Sequence, residues 1–116
     1  MFSAAYDREL SACSERRMRR AISGNVHCLQ RMCLQRKLAG HAGCVNTVSF
    51  DTEGGDVLIS GSDDQQILLW DWERGRVRLR FDSGHANNVF QARMLPHSSG
   101  SRIVTCAADG QVTARV

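Results

Sequence analysis

Proline is almost absent: Pro96 stands alone in 116 residues. With 42% hydrophobic residues beside it, such a chain is not a disordered polymer. No run of about 18 apolar residues occurs, so no transmembrane helix and no membrane partner are expected. The N-terminus, MFSAAYDREL, turns polar from Tyr6 and has no apolar h-region, so no secretory signal is read there. Without an export signal, an odd count of five cysteines favours a reduced, intracellular chain, in the nucleus, the cytoplasm or both. Lysine is nearly missing too: Lys37 is alone among fifteen basic residues. Catalytic motifs are also missing. There is no Gly-x-Ser-x-Gly, no phosphate-cradling glycine-rich loop and no His-Glu-x-x-His, so no enzyme class is indicated and no cofactor or small-molecule ligand is expected.

What charge there is lies unevenly. Residues 1–40 hold eight basic and three acidic side chains, a net of +5. Residues 41–116 hold seven and nine, a net of −2. The basic character belongs to the leader. Residues 1–24 read as a basic, partly helical or disordered arm, because Leu10, Cys13, Met18 and Ile22 give only a ragged stripe. Arg16-Arg17-Met18-Arg19-Arg20 matches a nuclear-localisation or nucleic-acid patch, but so short a match reads first as a solvated basic run. Nucleic acid is therefore an unfavoured partner. Ser23 lies at a spacing after Arg19 and Arg20 that suits a basophilic kinase. Residues 25–39 form a lead-in of mixed period: Leu29, Met32, Cys33 and Arg36 fit a helix face, while Leu34, Arg36 and Leu38 alternate like a strand.

The centre of the chain is Ile59–Trp72, ISGSDDQQILLWDW, which reads as strand, tight turn, strand. Short polar side chains at Ser62-Asp63-Asp64-Gln65 can cap their own backbone at a reversal. Ile67, Leu68 and Leu69 form an unbroken apolar run, as in a strand covered on both faces. Asp63 and Asp64 are adjacent carboxylates on that turn, with no cleft to make them an acid/base pair.

From Gly40 the chain repeats. Gly40-His41 recurs as Gly84-His85, and Val45–Phe50 recurs near residues 88–95. Val57–Ser60 recurs as Arg102–Thr105, and Asp64–Ile67 as Asp109–Val112. A period of 40–45 residues that opens on Gly-His and closes on Trp-Asp resembles the WD repeat, four strands to a propeller blade. The resemblance implies an all-β fold, a fragment of a WD-repeat β-propeller. It has one full blade over residues 40–83, with strands near 45–50, 57–61, 66–71 and 76–81. Residues 84–116 make a truncated second repeat with strands near 88–95, 102–106 and 111–116. The segment near Leu34–Leu38 would be the outer strand of a neighbouring blade. Because propellers need four to eight blades to close, the chain reads as part of a larger ring.

The same resemblance implies a hydrogen-bond chain from Trp70 through Ser60 to His41 and Asp64. In the second repeat His85, Thr105 and Asp109 match, but Arg115 stands where tryptophan is expected and Val116 where aspartate is. Residues 76–81 alternate Arg76, Arg78 and Arg80 with Val77, Leu79 and Phe81, which reads as an outer strand with its apolar face inward and its arginines either solvated or set to bind an anion. Cys28, Cys33, His41 and Cys44 are a poor zinc set by spacing, and no metal is expected. Cys44 and Cys106 read as small buried hydrophobes. Trp72 reads either as an exposed recognition anchor or as a seal on the blade.

Gly43–Val48, Ser60–Asp64, Trp70-Asp71-Trp72, Ser83-Gly84-His85, Asn88–Ala92 and Leu95-Pro96 resemble, more narrowly, the cullin-4-associated factors of the type numbered eight and their relatives fused to tetratricopeptide repeats. That resemblance implies a non-catalytic substrate receptor of a cullin-4 RING ubiquitin ligase, whose partners are the ligase adaptor and a substrate. Such receptors often carry Trp-Asp-x-Arg, with the arginine on the adaptor. Here the string is Trp70-Asp71-Trp72-Glu73-Arg74, so the arginine falls one place late. Asp71, Trp72 and Arg74 are the candidate partner-binding residues. The alternative is a WD-repeat scaffold with no ligase role.

Overall fold

The computed structural model describes residues 15–116, so Leu10 and Cys13 of the arm lie outside the described residues. The chain divides into two units, residues 1–35 and 36–116. In the first, α1 (Glu15–Ile22) and α2 (Val26–Gln30) are short helices. Asn25 caps α2 by accepting the Cys28 N–H on its side-chain oxygen at 3.2 Å, which satisfies one of the donors a helix start leaves free. No residue of α2 is buried.

The second unit is two antiparallel sheets. β1 (Val45–Phe50), β2 (Val57–Ser62), β3 (Gln66–Asp71) and β4 (Arg76–Asp82) pair in that order as blade one. β5 (Val89–Met94), β6 (Ile103–Ala107) and β7 (Val112–Arg115) pair in order as blade two. Ile59 and Ile67 of blade one meet Val89, Ala92, Met94 and Ile103 of blade two, with Leu69 and Phe81 packed beside them. Ile59, Ile67, Val89 and Ala92 are fully buried. Each large aliphatic side chain so covered contributes about 1.5–3 kcal/mol.

The inner strands β1 and β5 are joined by polar side chains. Ser49 Oγ donates to the Ala92 carbonyl at 2.8 Å, and Asn46 Nδ2 donates to the Val89 carbonyl at 3.1 Å. Both strands carry an irregularity at the same place, between Val45 and Thr47 in one and between Val89 and Gln91 in the other. The repeat is thus one of backbone shape as well as of residues.

Three readings of the sequence need correction. No strand forms at Leu34–Leu38: residues 32–40 join no ladder. A strand exists by pairing, and this segment pairs with none of the described strands. Nor do Val77, Leu79 and Phe81 share a buried face. A register shift between Leu69 and Trp70 sets Val77 opposite Trp70, while Leu79 and Phe81 stand opposite Leu69 and Ile67. One extra residue exchanges the faces of a strand, so the period-two pattern of β4 does not describe one surface. Finally, Cys44 is exposed and Cys106 half-buried, so neither is a buried hydrophobe. Cys44 precedes β1, where its carbonyl accepts the Asp63 N–H at 3.0 Å and fixes the turn by backbone alone.

Candidate functional site

In blade one the structure brings together His41, Ser60, Asp64 and Trp70. Trp70 Nε1 donates to Ser60 Oγ at 2.8 Å. An indole is only a donor, so this bond fills an acceptor position and leaves the hydroxyl hydrogen free to point elsewhere. It faces His41 Nε2, 2.7 Å away. That nitrogen then accepts, and the ring proton sits on Nδ1, which lies 3.0 Å from Asp64 Oδ2. The carboxylate also accepts the backbone N–H groups of Ala42 at 3.0 Å and Gln66 at 2.9 Å. Burial pushes the Asp64 carboxyl up, but these two backbone donors and the imidazole together hold it below its ordinary value.

Neighbouring residues make room for this chain of bonds. A Cβ on Gly40 would stand 2.7 Å from the Trp70 ring, so only glycine lets the backbone lie on the indole. Arg80 adds a bond to the Gly40 carbonyl at 2.5 Å. Residue types and order here match a serine–histidine–aspartate acyl-transfer triad, but its chemistry is closed off. Ser60 is 4% exposed and its oxygen is occupied by the indole. The group clamps the hairpin, from β3 through β2 to the segment before β1.

Blade two brings together His85, Thr105 and Asp109. His85 Nδ1 lies 3.0 Å from Asp109 Oδ2, and Nε2 lies 2.9 Å from Thr105 Oγ1. The Gln111 N–H holds the Asp109 carboxyl below its ordinary value, with Ala86 N–H and His85 adding to the effect against some loss of solvation. Arg115 does not supply the missing indole donor. Thr113 Oγ1 sits 3.0 Å from Thr105 Oγ1 and 3.3 Å from His85 Nε2, and completes the group from the neighbouring strand. Thr113 went unread in the sequence, although the repeat holds the signal. Ser60 pairs with Leu68 across the first hairpin, so Thr105 pairs with Thr113 across the second.

The candidate partner-binding residues lie where β3 turns into β4. Asp71 accepts from Arg74 Nη1 at 2.8 Å and from the Arg74 backbone N–H at 3.2 Å, and Arg76 Nε stands 3.6 Å away. The Arg74 hydrogen bond holds the Asp71 carboxyl below its ordinary value, and Asp71 in turn raises that of the guanidinium. Asp71 itself is nearly buried, while the Arg74 and Arg76 side chains are about two-thirds exposed. Arg36 donates to the Arg74 carbonyl at 2.9 Å. Trp72 is half-buried. Its Nε1 donates to the Gly55 carbonyl at 2.8 Å, and its ring meets Phe50 edge-on with centroids 5.8 Å apart. It therefore ties the β1–β2 turn to the β3–β4 turn. Among the described residues no group of three or more histidine, cysteine or acidic side chains is placed to hold a metal. No described helix is long and apolar enough to cross a membrane.

Comparison with known proteins bears on this arrangement. Residues 32–71 match the family model described as WD domain, G-beta repeat. Human WD and tetratricopeptide repeats protein 1 is 40% identical over 84 residues, which is 72% of this chain and 12% of that protein. WD repeat protein iqw1 of Schizosaccharomyces pombe is 36% identical over 96 residues, 82% of this chain and 12% of its own length. Human DDB1- and CUL4-associated factor 6 is 34% identical over 96 residues, 83% of this chain and 11% of its own. The chain thus spans about an eighth or less of each of these relatives. Two blades built on the same strand order, the same irregularity in the inner strand and the same histidine–aspartate pairing, together with these matches, place the chain in the WD-repeat family of protein-interaction modules.

Proposed function

We propose that this chain acts within the substrate-recruiting part of a cullin-4 RING ubiquitin ligase, as a non-catalytic surface that binds the ligase adaptor. The observation that carries this reading is the similarity to a protein named as a DDB1- and CUL4-associated factor, over 83% of the chain. Local geometry supports it. Arg74 projects from the end of the Trp70-Asp71 strand with its guanidinium braced by Asp71 and two-thirds exposed. A charge held in place by a neighbour loses little freedom on binding a partner's carboxylate or carbonyl. Trp72 and Asp71 set the turn that carries it. Residence in the nucleus or cytoplasm, where such ligases work, belongs to the same proposal.

The test is capture of the purified adaptor by this chain, with Arg74→Glu and Arg78→Glu compared. The reading expects capture that Arg74→Glu reduces about tenfold or more and that Arg78→Glu leaves nearly unchanged, since one strong contact separates them. Absence of capture, or capture indifferent to Arg74, leaves a WD-repeat scaffold without the ligase role.

A further inference from the structure

Three guanidinia gather at the turn that joins β3 to β4. Arg74 Nη1 and Arg76 Nε stand 2.8 Å and 3.6 Å from the same Asp71 oxygen, so the two cations share one anion. Register holds Arg76 there, because it pairs with Asp71 across the ladder and directly opposed residues set their side chains on one face. Arg36 arrives from the segment before the blade, and its Nη1 donates to the Arg74 carbonyl at 2.9 Å. Gly75 makes the seat for it. Its φ is 70°, and a Cβ there would stand 2.5 Å from both Cδ and Nη1 of Arg36. Glycine thus serves the backbone of the turn and the approach of the third guanidinium at once.

Two carboxylates stand against these three charges. Asp71 is nearly buried and committed to the turn, where it accepts the Arg74 backbone N–H as well as its guanidinium. Glu73 is exposed, and its charge also acts on Arg74. The turn is left with a net positive charge. A guanidinium carries five N–H donors, and all three of these side chains are exposed, so donors remain for a partner. The turn lies inside the chain, and both strands that it joins are paired in the blade.

We infer that Arg36, Arg74 and Arg76 form one cationic site that takes an acidic segment of the protein partner. The inference rests on the adaptor reading above and names the chemistry of that contact. Charge complementarity selects the occupant. The planar fork of a guanidinium meets a carboxylate two bonds at a time, and a cluster of forks favours a segment that presents several carboxylates together. Arg36 is fastened to the turn, and Arg74 and Arg76 to Asp71, before any partner arrives, so little freedom is lost on binding. Glu73 has the sign of the partner and opposes the contact. Arg36 lies 38 residues before Arg74 and outside the Trp-Asp string, so the site is wider than that string.

The test is the affinity of the full chain for the purified adaptor, measured for the parent and for variants of this turn. Arg36→Ala is expected to weaken binding about threefold to tenfold. The double variant Arg36→Ala with Arg74→Ala binds more weakly than either single one, since each arginine brings its own charge. Glu73→Gln strengthens binding about twofold to fivefold, and added salt weakens the parent. The gain from Glu73→Gln decides the case even where Arg36→Ala loosens the turn, because a damaged turn does not bind better. Capture that depends on Arg74 but is unmoved by Arg36→Ala, or is not strengthened by Glu73→Gln, overturns the acidic site and leaves the ligase reading standing. Absence of capture, or capture indifferent to Arg74, overturns both.

Discussion

Blade one and blade two reach the same clamp by different means. In blade one an indole crosses from β3 and donates to Ser60, and its ring fills the space above Gly40. In blade two a threonine on the neighbouring strand gives the polar contact, and the Arg115 guanidinium lies over Gly84 where the indole would lie. Tryptophan joins two tasks in one side chain, since it is both a large apolar filling and a donor. Blade two divides these tasks between Thr113 and Arg115, and Arg115 fills its place with a charged, exposed group. The polar bonds of the clamp are thus separable from the burial that usually accompanies them. Blade one should draw much more of its stability from its clamp than blade two does.

The largest test of that difference is Trp70→Ala against Arg115→Ala. Loss of the buried indole is expected to cost about 3–5 kcal/mol, and loss of the exposed arginine less than about 1 kcal/mol, by thermal or urea unfolding. Equal effects would mean that the arginine carries burial that its exposure does not show. Thr113→Val comes next. It keeps the shape and removes the hydroxyl from Thr105 and His85, so a loss of about 1–2 kcal/mol is expected. A neutral result would assign the blade-two clamp to His85, Thr105 and Asp109 alone.

The turns sharpen the comparison further. Gln65 has φ of 64°, in the left-handed region, where its counterpart in blade two is Gly110 at 77°. A side chain costs about 1 kcal/mol there. Gln65→Gly is therefore expected to stabilise blade one by up to about 1 kcal/mol, and Gly110→Gln to destabilise blade two by a similar amount. If Gln65→Gly destabilises, the glutamine side chain holds a contact that outweighs its backbone.

Acid gives the smallest effect at neutral pH and a clear sign. Asp64 and Asp109 both hold their protons less tightly when folded than the ordinary value of 3.8. Stabilisation from such depressed groups is complete above that value and disappears as pH falls through the folded values, so it is lost below about pH 4. Asp64→Asn and Asp109→Asn should each flatten this acid limb. Unchanged acid sensitivity in both would place the responsible carboxyls elsewhere.

Much of this fold was legible in the sequence because the repeat supplied two readings of each strand. His41 with His85 and Asp64 with Asp109 marked the hairpins without any structure. What escaped was whatever depends on register. The β4 pattern of Val77, Leu79 and Phe81 looked like one face, and a single extra residue near Leu69 and Trp70 divided it. Thr113 escaped because its role comes from what stands across the ladder rather than from a motif. Leu34–Leu38 alternated like a strand, but alternation supplies no partner. The Arg74–Asp71 brace lay within a string already singled out, and its geometry needed the turn at Gly75 to appear.

The placement of the two tryptophans has a consequence for spectroscopy. Both indoles belong to blade one, Trp70 bonded to a buried hydroxyl and Trp72 to the carbonyl of a half-exposed turn. Their ring protons should exchange with solvent at very different rates, the first only when the blade opens and the second when a turn frays. Blade two contains no tryptophan, so fluorescence-detected melting follows blade one and is blind to its neighbour. A separation between the fluorescence and far-ultraviolet transitions would therefore time the loss of blade two directly.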